Sequence, residues 1–406
     1  MEIHALSNGL NVIVERRLGT TVAVEVSVKA GSADEGKNVT GASHYVEHML
    51  FEGTKKRPTS REITNAVEKL GGILFAGTDT ERTVYACKVL RKDVGVAFDV
   101  LSDMLANPLF DADAFERQRK VILSEIALDK DDPKEHMWTL LQEGLFPGHP
   151  YGRPSYGSEE SVAGLSMEDV RGFFEKFYRA ENMTVAVVGD VPDALKKVRS
   201  YFGGFAGGKL SGGKRESIRP LKQSAKLEER ENILQSYSCV GFRAYPRTSR
   251  MSYCFDVIDA ILGRGQSGRI FDEVRNKRGL AYDAGVEYEA SFGFGMFYAY
   301  ACTERKDEEA AREVVWEELD KLGELSGEDL AEAKTFVAGR YLMRNDEPMS
   351  WADNLCFARE AGDVRKALDY PDAVASVTLD EVVATAEKSL RKKASCRATV
   401  REKAHL

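Results

Sequence analysis

The sequence predicts an α+β protein built from two related domains, each a mostly antiparallel sheet packed against helices. Three observations support this prediction. The chain has 406 residues, which is more than a single hydrophobic core usually serves. Segments of period-2 alternation stand beside segments with helical spacing of apolar residues. Short motifs of the first half recur in the second half, as a duplicated domain would show.

Three segments near the N-terminus have the character of strands. Residues 11–15 form a short apolar run after a turn signal at residues 7–9. Valines at alternate positions of residues 22–28 are separated by small or polar residues, which predicts a half-buried strand. Residues 73–90 predict two strands around the turn-prone residues 78–80.

Amphipathic helices are predicted to follow these strands. One begins at Ser60, the expected N-cap, and stops at two glycines, Gly71 and Gly72. Another starts near Lys92 and ends at an Asn-Pro pair. A longer helix covers residues 113–130. Alternation of strands and helices therefore extends through the first half of the chain.

A glycine-rich stretch divides the chain. We expect a first domain over residues 1–200, a linker at 201–220 and a second domain over 221–406. The sequence Tyr-Ala-Cys followed by Arg-Lys-Asp occurs at 85–93 and again at 300–307, each time before an amphipathic segment. A duplication explains this recurrence; the alternative is a shared strand-then-helix architecture with chance identities.

Composition narrows the function classes. A net charge of −8 and the absence of a long basic run argue against nucleic-acid binding. No segment has the apolar length of a membrane span, and the first 17 residues do not resemble a secretory signal. Six cysteines without a C-x-x-C pair indicate buried thiols rather than a disulfide framework or a cysteine-ligated metal. A cytoplasmic protein is the expectation.

The strongest chemical signal is the run H-x-x-E-H at His44, Glu47 and His48. Positions i, i+3 and i+4 of a helix share one face, so two imidazoles and a carboxylate would point the same way. Imidazoles four residues apart can chelate one Zn²⁺, and a neighbouring glutamate can act on water as a base. The alternative is a surface helix with two solvated histidines, although apolar residues follow the motif at once.

A catalytic zinc site needs a third protein ligand, and a carboxylate is a usual choice. Glu125 is the candidate because it lies in a predicted helix between Leu123 and Ile126, where an unpaired carboxylate is costly. Gln118 would share its face two turns earlier. The alternative is that Glu125 is only a residue at the rim of the core.

These residues, together with other motifs of the chain, resemble those of a known family. The chain resembles the pitrilysin-type zinc peptidases in four places. These are the H-x-x-E-H run with Glu125, the stretch from Gly71 to Tyr85, the sequence His-Pro-Tyr-Gly at 149–152, and residues 182–191. These are the inverzincins, which include mitochondrial processing peptidase. The resemblance extends over nearly the whole chain.

The resemblance implies roles for individual residues. It implies one Zn²⁺ per chain, bound by His44, His48 and Glu125, with Glu47 as general base. It also implies that Arg275 and Tyr282, seven residues apart, reach the active site and stabilise the oxyanion. On the register of the internal repeat, Arg340 aligns with Glu125, and Asp259-Ala260 with Glu47-His48. The second half therefore lacks a metal set of its own.

Two positions depart from the family pattern. Phe75-Ala76 stands where the family usually has Asn-Ala, so a side-chain amide that would clamp the substrate backbone is missing. Gln118 stands where an acidic residue usually lies seven positions before the zinc glutamate. A neutral amide can still hydrogen-bond but does not bring negative charge towards the metal.

The sequence thus predicts a zinc metallo-endopeptidase that binds an extended peptide along an edge strand near residues 73–76. Family members of full length carry four such modules in a clamshell chamber. This chain has two, which implies a homodimer, or a heterodimer with a related chain. A non-catalytic scaffold or peptide-binding subunit is the main alternative, and a metal-dependent hydrolase of non-peptide esters is a third.

Overall fold

The computed structural model describes residues 1–208 and 217–403. Its strands, in chain order, are β1 (Glu2–Ala5), β2 (Asn11–Glu15), β3 (Thr21–Val28), β4 (Ile73–Thr78), β5 (Thr83–Leu90), β6 (Met183–Val188), β7 (Ser224–Arg230), β8 (Ser236–Ala244), β9 (Ala281–Ala290), β10 (Gly295–Thr303) and β11 (Ser395–Glu402). The strands predicted at 11–15, 22–28 and within 73–90 are confirmed. Part of the predicted linker, residues 209–216, lies outside the described residues.

Helices fill most of the intervening chain. They are α1 (Ala42–Phe51), α2 (Ser60–Glu68), α3 (Val94–Ala106), α4 (Ala112–Asp131), α5 (Pro133–Leu145), α6 (Glu159–Gly164), α7 (Met167–Phe177), α8 (Ala194–Phe202), α9 (Ser252–Gly263), α10 (Arg269–Phe271), α11 (Glu308–Asp320), α12 (Gly327–Arg344), α13 (Pro348–Glu360), α14 (Arg365–Leu368), α15 (Tyr370–Ala375) and α16 (Leu379–Ser389). A π-helical segment, Asp272–Lys277, continues α10. None of the described helices has the length and apolar run of a membrane span.

The two sheets repeat one topology. The first has the order β1-β2-β6-β3-β5-β4, and the second has the order β7-β11-β8-β10-β9. Without β1, the two orders match strand for strand, and in each sheet the pair at the same place, β2 with β6 and β7 with β11, is parallel. The other pairs are antiparallel. This confirms the α+β class with two related, mostly antiparallel sheets.

The chain forms two compact units, each of which contains a segment from the other half of the sequence. The first unit comprises Met1–Ile126, Pro154–Arg215 and Met343–Ala367, and the second comprises Ala127–Arg153, Glu216–Leu342 and Leu368–Leu406, as far as these ranges are described. Helix α13 therefore belongs to the first unit, and helix α5 belongs to the second. The domains predicted at 1–200 and 221–406 from the sequence stay a prediction.

In the first unit, both faces of the sheet are covered. The valines of β3 face the main core with α1, α2 and α3. The intervening residues Ala23, Glu25 and Ser27 face the opposite way and are also buried, because α13 packs on that face against β3 and β6. The prediction that this strand is half-buried is therefore wrong: its second face meets a helix more than 300 positions away in the sequence.

In the second unit, helix α5 covers β8 and β11 in the same way. Small residues make this close packing possible. A Cβ atom added at Gly144 would lie 2.2 Å from Cys396 Sγ, and one at Gly241 would lie 2.6 Å from Leu141 Cδ1. Glycine at these positions lets the helix and sheet backbones approach each other.

One helix start differs from the prediction. Thr59, not Ser60, is the N-cap of α2: its side chain accepts a hydrogen bond from the Glu62 backbone N–H, and the Glu62 side chain accepts from the Thr59 backbone N–H. The glutamate three residues after Thr59 completes this reciprocal capping box, so the first helical residue is Ser60, one position earlier than an N-cap at Ser60 would place it.

Two acidic side chains are buried between β3 and α13 in the first unit. Glu25 is 2% exposed and Glu360 is 7% exposed. Burial, with the nearby Asp353 charge, raises the pKa of Glu25 well above its ordinary range. Burial also raises the pKa of Glu360 to about 7, although the Arg82 guanidinium opposes the shift. The fold therefore retains protons that the unfolded chain would release.

This burial predicts a pH-dependent stability. Between the ordinary pKa of 4.5 and about 7, folded Glu360 holds a proton that the unfolded chain has lost, so the free energy of unfolding falls as pH rises. Replacing Glu360 by Gln removes this dependence. We expect Glu360→Gln to match wild type at pH 4 and to be more stable at pH 8, by about 3 kcal/mol at most. Urea denaturation at both pH values measures the difference, and the exposed Glu68→Gln serves as control. If the free energy of unfolding changed by the same amount between pH 4 and pH 8 in wild type and in Glu360→Gln, the expectation would be contradicted.

Candidate metal centre

Helix α1, which carries the H-x-x-E-H run, is anchored at its N-terminus by a buried carboxylate. Glu35 Oε2 accepts from the Gly41 backbone N–H at 2.9 Å, and Glu35 Oε1 accepts from the Ser43 N–H at 2.8 Å and the Ser43 hydroxyl at 2.6 Å. A carboxylate suits the positive end of a helix. Gly41 itself has φ of +94°, and a Cβ there would lie 2.8 Å from Tyr156 O. These contacts fix where the helix starts.

The structure brings His44, His48 and Glu125 together. The two Nε2 atoms are 3.3 Å apart, and Glu125 Oε2 lies 3.9 Å from His44 Nε2 and 3.5 Å from His48 Nε2. Ligand atoms about 2.0 Å from a tetrahedral zinc are separated by about 3.3 Å. Over residues 1–208 and 217–403, this is the one group of three such side chains whose donor atoms converge.

The environment of these donors suits a cation. Burial, together with the neighbouring His48, lowers the pKa of His44 to about 3, so its imidazole is neutral and has a lone pair to offer. The side chains of His44 and His48 are 16% exposed, whereas that of Glu125 is 41% exposed. Two histidines and a carboxylate form the donor set of a catalytic zinc site that keeps a further position open. The residues present therefore fit a zinc ion.

Glu47 lies beside this group and does not belong to it. Its Oε2 accepts a 2.6 Å hydrogen bond from the Thr78 hydroxyl, at the end of β4. Burial raises the pKa of Glu47, while the Thr78 hydrogen bond and the charge of His48 lower it, and the Glu125 carboxylate raises it. A carboxyl group with a raised pKa next to a metal site can act as a general base and then as a general acid.

Gln118 forms a direct hydrogen bond to one of the histidines. Its Oε1 lies 2.9 Å from His48 Nδ1, on the side of the ring away from His44 and Glu125. The other end of the amide, Nε2, donates to Glu52 Oε1 at 2.7 Å. The amide predicted to stand behind the metal site therefore does contact a candidate ligand.

Phe75 and Ala76 lie on β4, an edge strand of the first sheet. Ala76 packs against the core, and Phe75 faces outwards with 49% of its surface exposed. The same strand ends at Thr78, the hydrogen-bond partner of Glu47. An aromatic side chain thus occupies the exposed face of the strand that holds the candidate base in place.

Arg275 and Tyr282 lie in the second unit, beside each other. Arg275 belongs to the π-helical segment, and Tyr282 is near the start of β9. The Arg275 guanidinium carbon lies 4.5 Å from the centre of the Tyr282 ring, within the range of a cation–π contact. Tyr282 is 74% exposed, so its side chain is not packed in the core of that unit.

Three further contributors to this centre, Glu35, Thr78 and Glu52, were missed by sequence reasoning. A signal existed for Glu52, which stands four residues after His48 on the same helical face. Thr78 was interpreted only as a turn residue, and no pattern in the sequence singled out Glu35. A turn signal does not indicate a side chain that reaches another element.

Comparisons with known proteins agree with these features. A family model described as Insulinase (Peptidase family M16) matches residues 11–159, and one described as Peptidase M16 inactive domain matches residues 164–337. An uncharacterized zinc protease of Mycobacterium leprae is 30% identical, over 96% of this chain and 89% of its own length. One of Bacillus subtilis is 29% identical, over 84% and 83%. The crystal structure of a Helicobacter pylori protease superposes with a TM-score of 0.93 at 20% identity and 98% coverage of both chains.

The repeated sheet topology and the cluster of two histidines and a glutamate define the class, a two-module chain similar to named zinc proteases. The chain belongs to peptidase family M16, the insulinase or pitrilysin-type family. The family resemblance predicted from the sequence is thereby confirmed.

Proposed function

We propose that this chain is a zinc-dependent endopeptidase that hydrolyses peptides or unfolded polypeptides. The observation that carries the proposal is the convergence of His44, His48 and Glu125, with donor atoms 3.3 to 3.9 Å apart. Glu47 is the proposed general base, because the Thr78 hydrogen bond holds it next to this group. The relatives named zinc proteases support the same class.

The chain's own residues supply the proton transfers in this proposal. Bound zinc would supply the Lewis acid that polarises a peptide carbonyl and makes water more acidic. Glu47 takes a proton from the attacking water and later delivers it to the leaving amine. The raised pKa of Glu47 favours delivery of the proton to the amine, and the hydrogen bond from the Thr78 hydroxyl holds Glu47 Oε2 in place. His44 and His48 would hold the ion together with Glu125.

Arg275 and Tyr282 are proposed to stabilise the oxyanion, on the strength of the family pattern Arg-x6-Tyr. The cation–π contact between them keeps the arginine charge next to the phenol, which favours hydrogen-bond donation by the hydroxyl. A donor of this kind acts mainly in the transition state.

Tyr282→Phe is expected to lower kcat for peptide cleavage by about 10²-fold, with KM and zinc content close to wild type. The hydroxyl is on an exposed side chain, so its removal leaves the fold intact. Tyr201→Phe, at a partly exposed tyrosine of the first unit, is the matched control. Unchanged kcat in Tyr282→Phe would remove this tyrosine from the reaction.

The substrate is proposed to bind as an extended strand along β4. Among the described strands, none pairs with the outer edge of β4. Main-chain pairing of a substrate at such an edge gives little sequence preference. Phe75, in place of the asparagine usual in the family, would contribute an apolar contact there instead of an amide clamp. We therefore expect preference for a hydrophobic residue near the cleaved bond.

The assembly and location of the chain are also proposals. With one zinc set and one Arg/Tyr pair, a homodimer would reproduce the four modules of full-length relatives, and pairing with a related chain is the other arrangement. A closed chamber of four modules would admit unfolded peptides and exclude folded proteins. A cytoplasmic location agrees with six buried cysteines, all of them free.

Two alternatives remain distinct in experiment. A non-catalytic scaffold is favoured by the match of residues 164–337 to a domain described as inactive and by Phe75 and Gln118. A hydrolase of non-peptide esters would use the same centre. The zinc content of the purified chain, measured with cleavage of a panel of unstructured peptides and simple esters, separates the three. If the purified protein contains no zinc, the non-catalytic scaffold is the function that fits. If it cleaves esters but not peptides, it is a hydrolase of non-peptide esters.

A further inference from the structure

A line of hydrogen bonds leads from a candidate zinc ligand to a carboxylate that neither the sequence motif nor the family comparison assigns. His48 Nδ1 contacts Gln118 Oε1 at 2.9 Å, and Gln118 Nε2 contacts Glu52 Oε1 at 2.7 Å. Arg117 Nη2 donates to the other oxygen, Glu52 Oε2, at 3.1 Å. Helix α1 provides His48, Glu52 is the C-cap residue that follows this helix, and helix α4 provides Gln118 and Arg117.

The chemistry of these groups determines which atom donates and which accepts in each of these hydrogen bonds. An ionised carboxylate only accepts hydrogen bonds, so Glu52 requires the amide nitrogen of Gln118 to face it. The amide oxygen then faces His48 and accepts from Nδ1–H. A histidine protonated on Nδ1 has its lone pair on Nε2, the atom that lies 3.3 Å from His44 Nε2 and 3.5 Å from Glu125. With the amide reversed, two acceptors would meet at Glu52, and Nε2 would carry the proton.

We propose that Glu52 is a positioning residue of the metal centre, which acts through Gln118 to hold His48 in the tautomer that binds the ion. It supplies, one hydrogen bond further out, the negative charge that Gln118 lacks. This inference rests on the proposed zinc site, and it explains how a neutral residue at position 118 is compatible with metal binding. Outer partners of ligating histidines usually orient the ring and raise its basicity in this way.

The alternative is that Glu52 forms an ordinary surface ion pair with Arg117. Exposure argues against it, since the Glu52 side chain is 14% exposed while that of Arg117 is 63% exposed. A mostly solvated arginine has little need of a mostly buried partner. The shorter contact of Glu52 is with Gln118, which points the carboxylate towards the metal centre.

The test is zinc affinity of the full chain, measured by competition with a chromophoric chelator, with the visible spectrum of the Co²⁺-substituted protein as a readout of coordination. Glu52→Gln is expected to weaken zinc binding about tenfold, the low end for an outer partner. The exchange variant Glu52→Gln with Gln118→Glu places the carboxylate directly on His48 and should restore affinity to wild type or better. Both readouts are independent of peptide cleavage.

Glu116→Gln is the matched control, because it makes the same change at an exposed position two residues before Gln118. It should leave zinc affinity and the Co²⁺ spectrum unchanged. Thermal unfolding of the metal-free variants shows that they are folded. Wild-type affinity in Glu52→Gln, or no recovery in a folded exchange variant, would overturn the inference. A wild-type chain that binds zinc but cleaves no peptide would refute the proposed function and leave this inference standing.

Discussion

Glu47→Gln is expected to lower peptide cleavage by about 10³-fold while the purified protein keeps its zinc. The amide has the shape of the carboxylate, and its oxygen can still accept from Thr78, which now donates to Glu47 at 2.6 Å. It cannot take up a proton at neutral pH. Because Glu47 is not among the converging donors His44, His48 and Glu125, metal binding does not depend on it.

The measurement pairs zinc content with cleavage rates on unstructured peptides for wild type, Glu47→Gln and the control Glu68→Gln. The control makes the same change on the exposed face of α2 and should behave as wild type. Full activity in Glu47→Gln would remove Glu47 from the role of base. Loss of zinc along with activity would instead assign it a part in metal binding.

The spacing of the motif was enough to predict the geometry of α1. Residues i, i+3 and i+4 share a helical face whatever the rest of the fold, so local sequence determines where His44, Glu47 and His48 point. The choice of Glu125 required the further argument that a carboxylate in an apolar helix needs a partner. The structure places it with the two histidines, although its side chain is more exposed than that argument supposed.

The sheets show where local patterns stop being sufficient. Alternation in residues 21–28 correctly predicts a strand, but it cannot show that Ala23, Glu25 and Ser27 face a helix instead of water. That helix, α13, comes from residues 348–360, and no periodicity connects two segments so far apart. Buried polar residues such as Glu25 look like surface residues in a sequence, because the partners that make their burial tolerable come from elsewhere.

The residues around the metal centre could not be predicted from the sequence for the same reason: their partners come from other elements of the fold. Thr78 donates to Glu47, and Glu35 accepts from Gly41 and Ser43 at the start of α1. Glu52 is connected to His48 only through Gln118. These residue types are common on any surface, so only the fold distinguishes them. The sequence indicated that Gln118 lacks the negative charge usual at its position. The structure shows the Glu52 carboxylate one hydrogen bond away from Gln118.

Glu125→Gln is the second variant with a large expected effect, because it removes the only charged donor of the converging group. An amide oxygen is a much weaker zinc ligand than a carboxylate, so we expect zinc affinity to fall by more than about 100-fold, beyond what loss of an outer partner costs. Cleavage should fall with it, and added zinc at high concentration should recover part of the activity.

The exposure of Glu125 makes this result interpretable. Its side chain is 41% exposed, so an isosteric change there should alter the stability of the metal-free protein by less than about 0.5 kcal/mol. A loss of zinc without a loss of thermal stability would therefore reflect the donor itself. If Glu125→Gln retained wild-type zinc affinity, the ion would have to be bound without this helix. The two histidines four residues apart would then be its only protein ligands among the converging side chains of the described residues, too few for the zinc site that the peptidase proposal requires.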